Sequence, residues 1–151
     1  MTQDIFVIVD GIDGESQNAT YPRSIEAWSW HFEINQPSSM HAGSDGGLGR
    51  ASVSGMHFVH CVDRASPNIL RHSLIGRHIA QVRLVQRKAG GLPFDFLKLI
   101  LNDVIVSRVE QACAGGLMIK HVALSFAQLR CECAVQGAKG GNLGRLKFWS
   151  M

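Results

Sequence analysis

The stretch Ala27–Arg50, AWSWHFEINQPSSMHAGSDGGLGR, joins two patterns that do not belong to one element. From Ile25 to Ile34 apolar and polar residues alternate with the period of a β-strand. That period puts Trp28, Trp30, Phe32 and Ile34 on one face and Ala27, Ser29, His31 and Glu33 on the other. From Asn35 onward the alternation stops. Gly43, Gly46, Gly47 and Gly49 accumulate with Pro37 and three serines, and only Met40 and Leu48 are sizeable and apolar. A second strand-like run, Ala51 to Val62, follows at once, so the stretch reads as a strand, a long excursion at about residues 35–50 and a return. Connections beyond about 12–15 residues without structure of their own are uncommon in compact domains, and are usually functional or disordered.

Outward from this stretch the chain keeps reading as strands. Asp4 to Val9 is apolar on both faces, with Ile5, Val7 and Val9 against Phe6 and Ile8; such a strand is sandwiched or lies at a subunit contact. Asp10 to Gly14 is a turn, and Glu15 to Arg23 a polar loop or edge segment. In the run from Ala51, Gly55 marks a bulge. One helix signal follows: Ser66 as N-cap, Pro67 at the first helical position, Ile69, Leu70 and Leu74 spaced for one face, and Gly76 just past the end. His78 to Arg87 and Phe94 to Val109 form a hairpin around Lys88-Ala89-Gly90-Gly91. Val104, Ile105 and Val106 are again apolar on both faces, so Phe6, Ile8, Val104 and Val106 are likewise expected to be sandwiched or to lie at a subunit contact. Ala114-Gly115-Gly116 turns the chain into Val122 to Val135, and after the Gly-rich 137–144 a short strand, Leu146 to Trp149, ends it. These elements predict an all-β fold, a mainly antiparallel barrel with one short α-helix, as a single domain over residues 1–151.

The 151 residues and net charge of +3 suit one folded domain and argue against a nucleic-acid binder, which needs a denser basic stripe with interleaved aromatics. Arg83, Arg87 and Lys88 come closest and read as ordinary solvated side chains. The N-terminus, MTQDIFVIVD, has no basic leader and its apolar run stops at Asp10, so it is not read as a signal peptide. No apolar run approaches the roughly 18 residues of a membrane helix. The expectation is a protein made in the cytoplasm, without membrane insertion, and exported, if at all, by another route.

Candidate chemistry is sparse. On a strand His57 and His60 face opposite sides, and His57 and Cys61 stand roughly 13 Å apart, too far to share one ion. Cys131 and Cys133 are about 6.6 Å apart along a strand, beyond a relaxed disulfide. No metal and no cofactor is therefore expected, and the four cysteines are not read as a disulfide framework. The glycine-rich loop matches neither phosphate-binding pattern and leads into a strand, so no helix N-terminus is there to meet an anion. Without a G-x-S-x-G elbow, nothing nominates a nucleophile, and no enzyme is expected. Trp28 and Trp30 offer a sugar-stacking platform, which would make the chain a monomeric or dimeric glycan- or protein-binding barrel. The alternation instead predicts that both fill the core. Ser29 and His31 then lie on the outer face of the wall.

Taken in order, several short motifs resemble the hemolysin-coregulated protein (Hcp) family, which forms the tube of bacterial type VI secretion. They are Gly11…Gly14-Glu15-Ser16, Ala27-Trp28-Ser29-Trp30, Ser39-Met40-His41 with the glycines after it, and Asp63…Ser66-Pro67-Asn68. Gly76…His78, Arg87-Lys88-Ala89-Gly90-Gly91 and Leu124…Phe126-Ala127-Gln128 complete the set, which spans nearly the whole chain.

The resemblance implies a barrel that assembles as a homohexamer, in rings that stack into a hollow conduit. A contractile sheath on a baseplate propels that conduit with a spike at its tip, and it is exported with the spike. It also implies a lumen able to hold small effector proteins, with Ser29 and His31 facing it. The long loop, through Ser39, Met40, His41, Gly43, Gly46, Gly47 and Gly49, is implied to reach an adjacent subunit or ring. The chain departs from the family pattern at Met118-Ile119-Lys120-His121, which is apolar and basic where acidic and polar residues are usual; this predicts an altered ring-edge charge. Cys133 stands where an aromatic is expected. No effector domain is fused before Met151, so cargo would be carried non-covalently.

Overall fold

The computed structural model describes residues 3–35, 52–88, 94–136 and 142–150. In chain order these form β1 (Gln3–Val9), β2 (Ile25–Asn35), β3 (Ser52–Cys61), α1 (Ser66–Ile75), β4 (Ile79–Lys88), β5 (Phe94–Ala114), β6 (Leu117–Gln136) and β7 (Asn142–Ser150). The strands pair in the order β3-β2-β1-β4-β5-β6-β7, and β3 also pairs with β6. That extra pairing closes six strands into the antiparallel barrel expected from the sequence, so the wall has no free edge there. Residues Ile119 to Leu124 of β6 meet β3, and Leu129 to Gln136 carry β7 outside the closure.

The core is filled by the inward positions of these strands, with Val7, Ile25, Val82, Leu84, Leu99, Leu101 and Val104 fully buried. The hairpin between β5 and β6 turns on Gly115 and Gly116, with φ of 58° and 79°. Two consecutive positive φ values make the turn whose twist matches paired strands, and glycine adopts it without strain. Both strands run further into this tip than the apolar pattern indicates, because backbone pairing continues through exposed residues.

The strand β2 departs from the expected alternation. Ala27 lies opposite His60 and Ser29 opposite Val59, so β2 carries one extra residue there, a β-bulge. Ile25 and Ala27 point inward before it, and Trp30 and Phe32 pack on the core after it. Trp28 is thrown to the outside, 51% exposed, and is not a core residue as the period implies. Ile34 is also exposed, beyond a second irregularity between Phe32 and Ile34. There the partner strand carries the extra residue, and Gly55 has φ +81° with the Leu124 carbonyl oxygen 2.7 Å from where a Cβ would stand. This is the bulge that glycine marks in the sequence.

The helix α1 begins one residue earlier than a Ser66 N-cap would have it. Ala65 is the capping residue, in helical conformation, and Ser66 is the first helical residue. Asp63 organises the entry: its carboxylate accepts the Ala65 N–H at 3.0 Å, and its own N–H donates to Ser66 Oγ at 3.0 Å. Gly76 ends the helix in the left-handed region, with φ 64° and ψ 31°. Of the three apolar residues expected on one face, only Ile69 is buried; Leu70 and Leu74 are exposed. The helix is instead held by a polar anchor. Lys120 and His60 stand opposite each other on β6 and β3, both buried, and Lys120 Nζ donates to the Ser66 carbonyl at 2.9 Å. The lysine expected to alter the charge of a ring edge is therefore 1% exposed and works inside the fold.

Candidate functional site

Ser29 and His31 both stand exposed on the outer face of β2. The register sets His31 opposite His57 and Ser29 opposite Val59 on β3, and Val59 opposite His121 on β6. The His31 and His57 rings stack almost parallel, 4.6 Å between centroids and 5° between planes. With Arg108, Glu110 and His121 they line a shallow depression of about 130 Å³. The Arg108 guanidinium donates to Glu110 at 3.0 Å. Grouping His57 and His121 with His31 needs cross-strand register, which spacing along one strand does not reveal.

This face offers hydrogen-bonding groups and flat rings. Imidazole lone pairs lie in the ring plane, so those of two parallel rings do not converge on one point. Among the described residues no group of three or more His, Cys, Asp or Glu is arranged to hold a metal ion. Cys61, Cys113, Cys131 and Cys133 are free thiols. Burial first, then the neighbouring Cys133, pushes the Cys131 thiol up to about 11, which keeps it protonated and unreactive.

The expected subunit-contact residues are largely spent within the chain. Val104 and Val106 belong to the core. Phe6 does point outward from β1 but is only 3% exposed, because Tyr21 lies 5.4 Å from it, centroid to centroid. The Arg87 guanidinium sits 5.7 Å from the Phe6 ring and 5.3 Å from the Tyr21 ring. Arg87 donates to Asp95 at 2.9 Å, and the Tyr21 hydroxyl donates to the same carboxylate. Burial and the Asp95 carboxylate push the Tyr21 phenol up to about 12. These three surfaces are therefore closed to a neighbour, and Ile8, half-buried, is the one of the four still accessible. Arg87 is correspondingly not a solvated residue. The loop residues Ser39, Met40, His41, Gly43, Gly46, Gly47 and Gly49 lie outside the described residues.

The two-tryptophan platform does not form. The Trp30 indole N–H donates to Gln86 at 2.8 Å and its ring stacks on Phe32, whereas Trp28 faces the other side of the wall.

Residues 6–133 match the family described as type VI secretion system effector, Hcp. The chain belongs to the Hcp family. A curated relative, the Hcp1 protein of Pseudomonas aeruginosa, is 33% identical over 147 residues, covering 95% of this chain and 91% of its own. The crystal structure of Hcp1 from Salmonella typhimurium is 40% identical, with a TM-score of 0.81 over 97% of this chain and 93% of that one. A type VI secretion system effector from Yersinia pestis is 30% identical, also with a TM-score of 0.81, over 97% and 98% of the two chains. As an Hcp protein this chain is a type VI secretion tube subunit and a secreted component of that system. Among its described residues no helix is long and apolar enough to cross a membrane.

Proposed function

We propose that this Hcp chain assembles as a six-membered ring, that rings stack into a hollow conduit, and that Ser29 and His31 line its lumen. The observation that carries the reading is the face formed by β2, β3 and β6. It is outward, polar and shallow, with Ser29, His31, His57 and His121 presented together, while the apolar core beneath it is already filled. Small effectors are held on this face non-covalently, and the chain performs no catalysis of its own. The loop through Ser39-Met40-His41 and Gly43 to Gly49 reaches the adjacent subunit or ring. A sheath, baseplate and spike complete the machine, and the ring leaves the cytoplasm with the spike.

Light scattering after size exclusion tests the ring. The expected mass is six times that of the 16.5 kDa chain, with an annulus in electron micrographs; a stable monomer at all concentrations would overturn the reading. The lumenal assignment is tested separately. A Ser29→Gln variant is expected to keep the ring mass and to change the amount of effector that co-purifies, and unchanged retention would count against Ser29 facing the cargo.

A further inference from the structure

The barrel carries two differently charged flanks. On the outer side of β1 and β2, Trp28 and Glu26 line two adjoining cavities of about 300 and 270 Å³. Among the lining residues Asp4, Glu15, Glu26 and Asp63 are acidic and none is basic. Trp28, projected by the bulge, stands exposed between the carboxylates. The other flank is the outer side of β4, β5 and β6, where a cavity of about 440 Å³ is lined by Arg83, Lys98 and Arg130 with the single carboxylate Glu132. Register sets these side by side: Arg83 opposite Ile100 opposite Arg130, and Val85 opposite Lys98 opposite Glu132. Glu132 pairs with Arg130 at 3.1 Å. The flank keeps a surplus of positive charge over an apolar floor of Val85 and Ile100.

Around the closed barrel the strands run β3-β2-β1-β4-β5-β6 and back to β3. The acidic flank therefore lies on β1 and β2, and the basic flank on β4, β5 and the part of β6 that carries β7; the two adjoin where Phe6 stands opposite Val85. A ring requires this kind of arrangement: two different patches on one subunit, each complementary to the other, joined head to tail. We propose that the acidic flank around Trp28 docks on the Arg83–Lys98–Arg130 flank of a second copy of this chain. Glu26 and Asp4 meet its cations, and the Trp28 ring offers its face to a guanidinium. This inference rests on the ring reading above and names the surfaces that would build it.

A charge swap tests it. Glu26→Lys and Arg83→Glu, made singly, are each expected to raise the concentration needed for assembly at least tenfold, with circular dichroism unchanged. The double variant, which restores opposite charges across the contact, is expected to recover most of the wild-type assembly. Acrylamide quenching of Trp28 should fall when wild type assembles. Wild-type rings indifferent to both single swaps, or single defects that the double swap does not relieve, would overturn this pairing while leaving the ring intact. A wild type that never assembles would overturn the ring reading and this one with it.

Discussion

His60 and Lys120 face each other across β3 and β6 with both side chains buried, and neither ring nitrogen of His60 has a hydrogen-bond partner. The nearest carboxylate oxygen, on Asp63, is 3.8 Å away. Burial, then the Lys120 charge, lowers the His60 pKa from 6.5 to about 4. The folded state therefore holds this imidazole neutral, and the unfolded chain takes up the proton first on acidification. Stability is full above pH 6.5 and falls as the pH drops toward 4, by about 3 kcal/mol for this group. Burial raises the Asp63 carboxyl, which works in the opposite direction at the acid end of that window. Urea unfolding of wild type and His60→Leu from pH 4 to 7.5 isolates the histidine. The variant is expected to lose most of the slope and to stay within about 1 kcal/mol of wild type at pH 7.5, since an apolar group replaces an unsatisfied one.

Lys120→Met should cost about 1–3 kcal/mol, the value of leaving the buried Ser66 carbonyl without its donor. The loss should concentrate at the helix entry. Hydrogen exchange at Ile69 and His72 is expected to quicken before exchange in β1 or β4 does.

Arg87→Ala removes the cover of Phe6 and Tyr21 and leaves the Asp95 carboxylate with the Tyr21 hydroxyl but without its cation. The expected loss is about 3 kcal/mol by chemical denaturation. Arg87→Lys should recover only part of it, because an ammonium cannot keep both the flat stacking and the directed bond.

Gly14→Ala should destabilise by about 2–3 kcal/mol. Its Cβ would stand 2.4 Å from the Ser24 carbonyl oxygen, a backbone atom that cannot swing aside. The Gly14 N–H also donates to the Arg23 carbonyl at 2.7 Å, so the loop would have to open to admit a methyl group. Thermal unfolding checks this, and Gly11→Ala gives the separate backbone cost of a side chain at φ +79°, because its added Cβ meets nothing within 4 Å.

The strands, their antiparallel order and the Gly115–Gly116 turn were legible in the sequence because period-2 alternation and turn glycines are local signals. Trp28 departs from the period because the bulge beside it carries no glycine, and no residue type announces the irregularity. Phe6 and Arg87 depart from the sequence pattern for a different reason. Their cover comes from Tyr21 and Asp95, remote in sequence, and a residue apolar on an outer face looks the same whether its own chain or a neighbour covers it. The outward setting of Ser29 agreed, although by the period alone it would have sat opposite Trp28 rather than beside it.

The bulge in β2 also separates what the barrel needs from what it merely carries. If Trp28 were deleted, Ala27 opposite His60 and Ser29 opposite Val59 would become consecutive pairs in an unbroken ladder. Ile25, Ala27, Trp30 and Phe32 would all still point inward. A one-residue loss that reverses the facing of an ordinary strand would here restore regularity. The tryptophan is a spare letter in the folding text, and its meaning is read from outside the barrel.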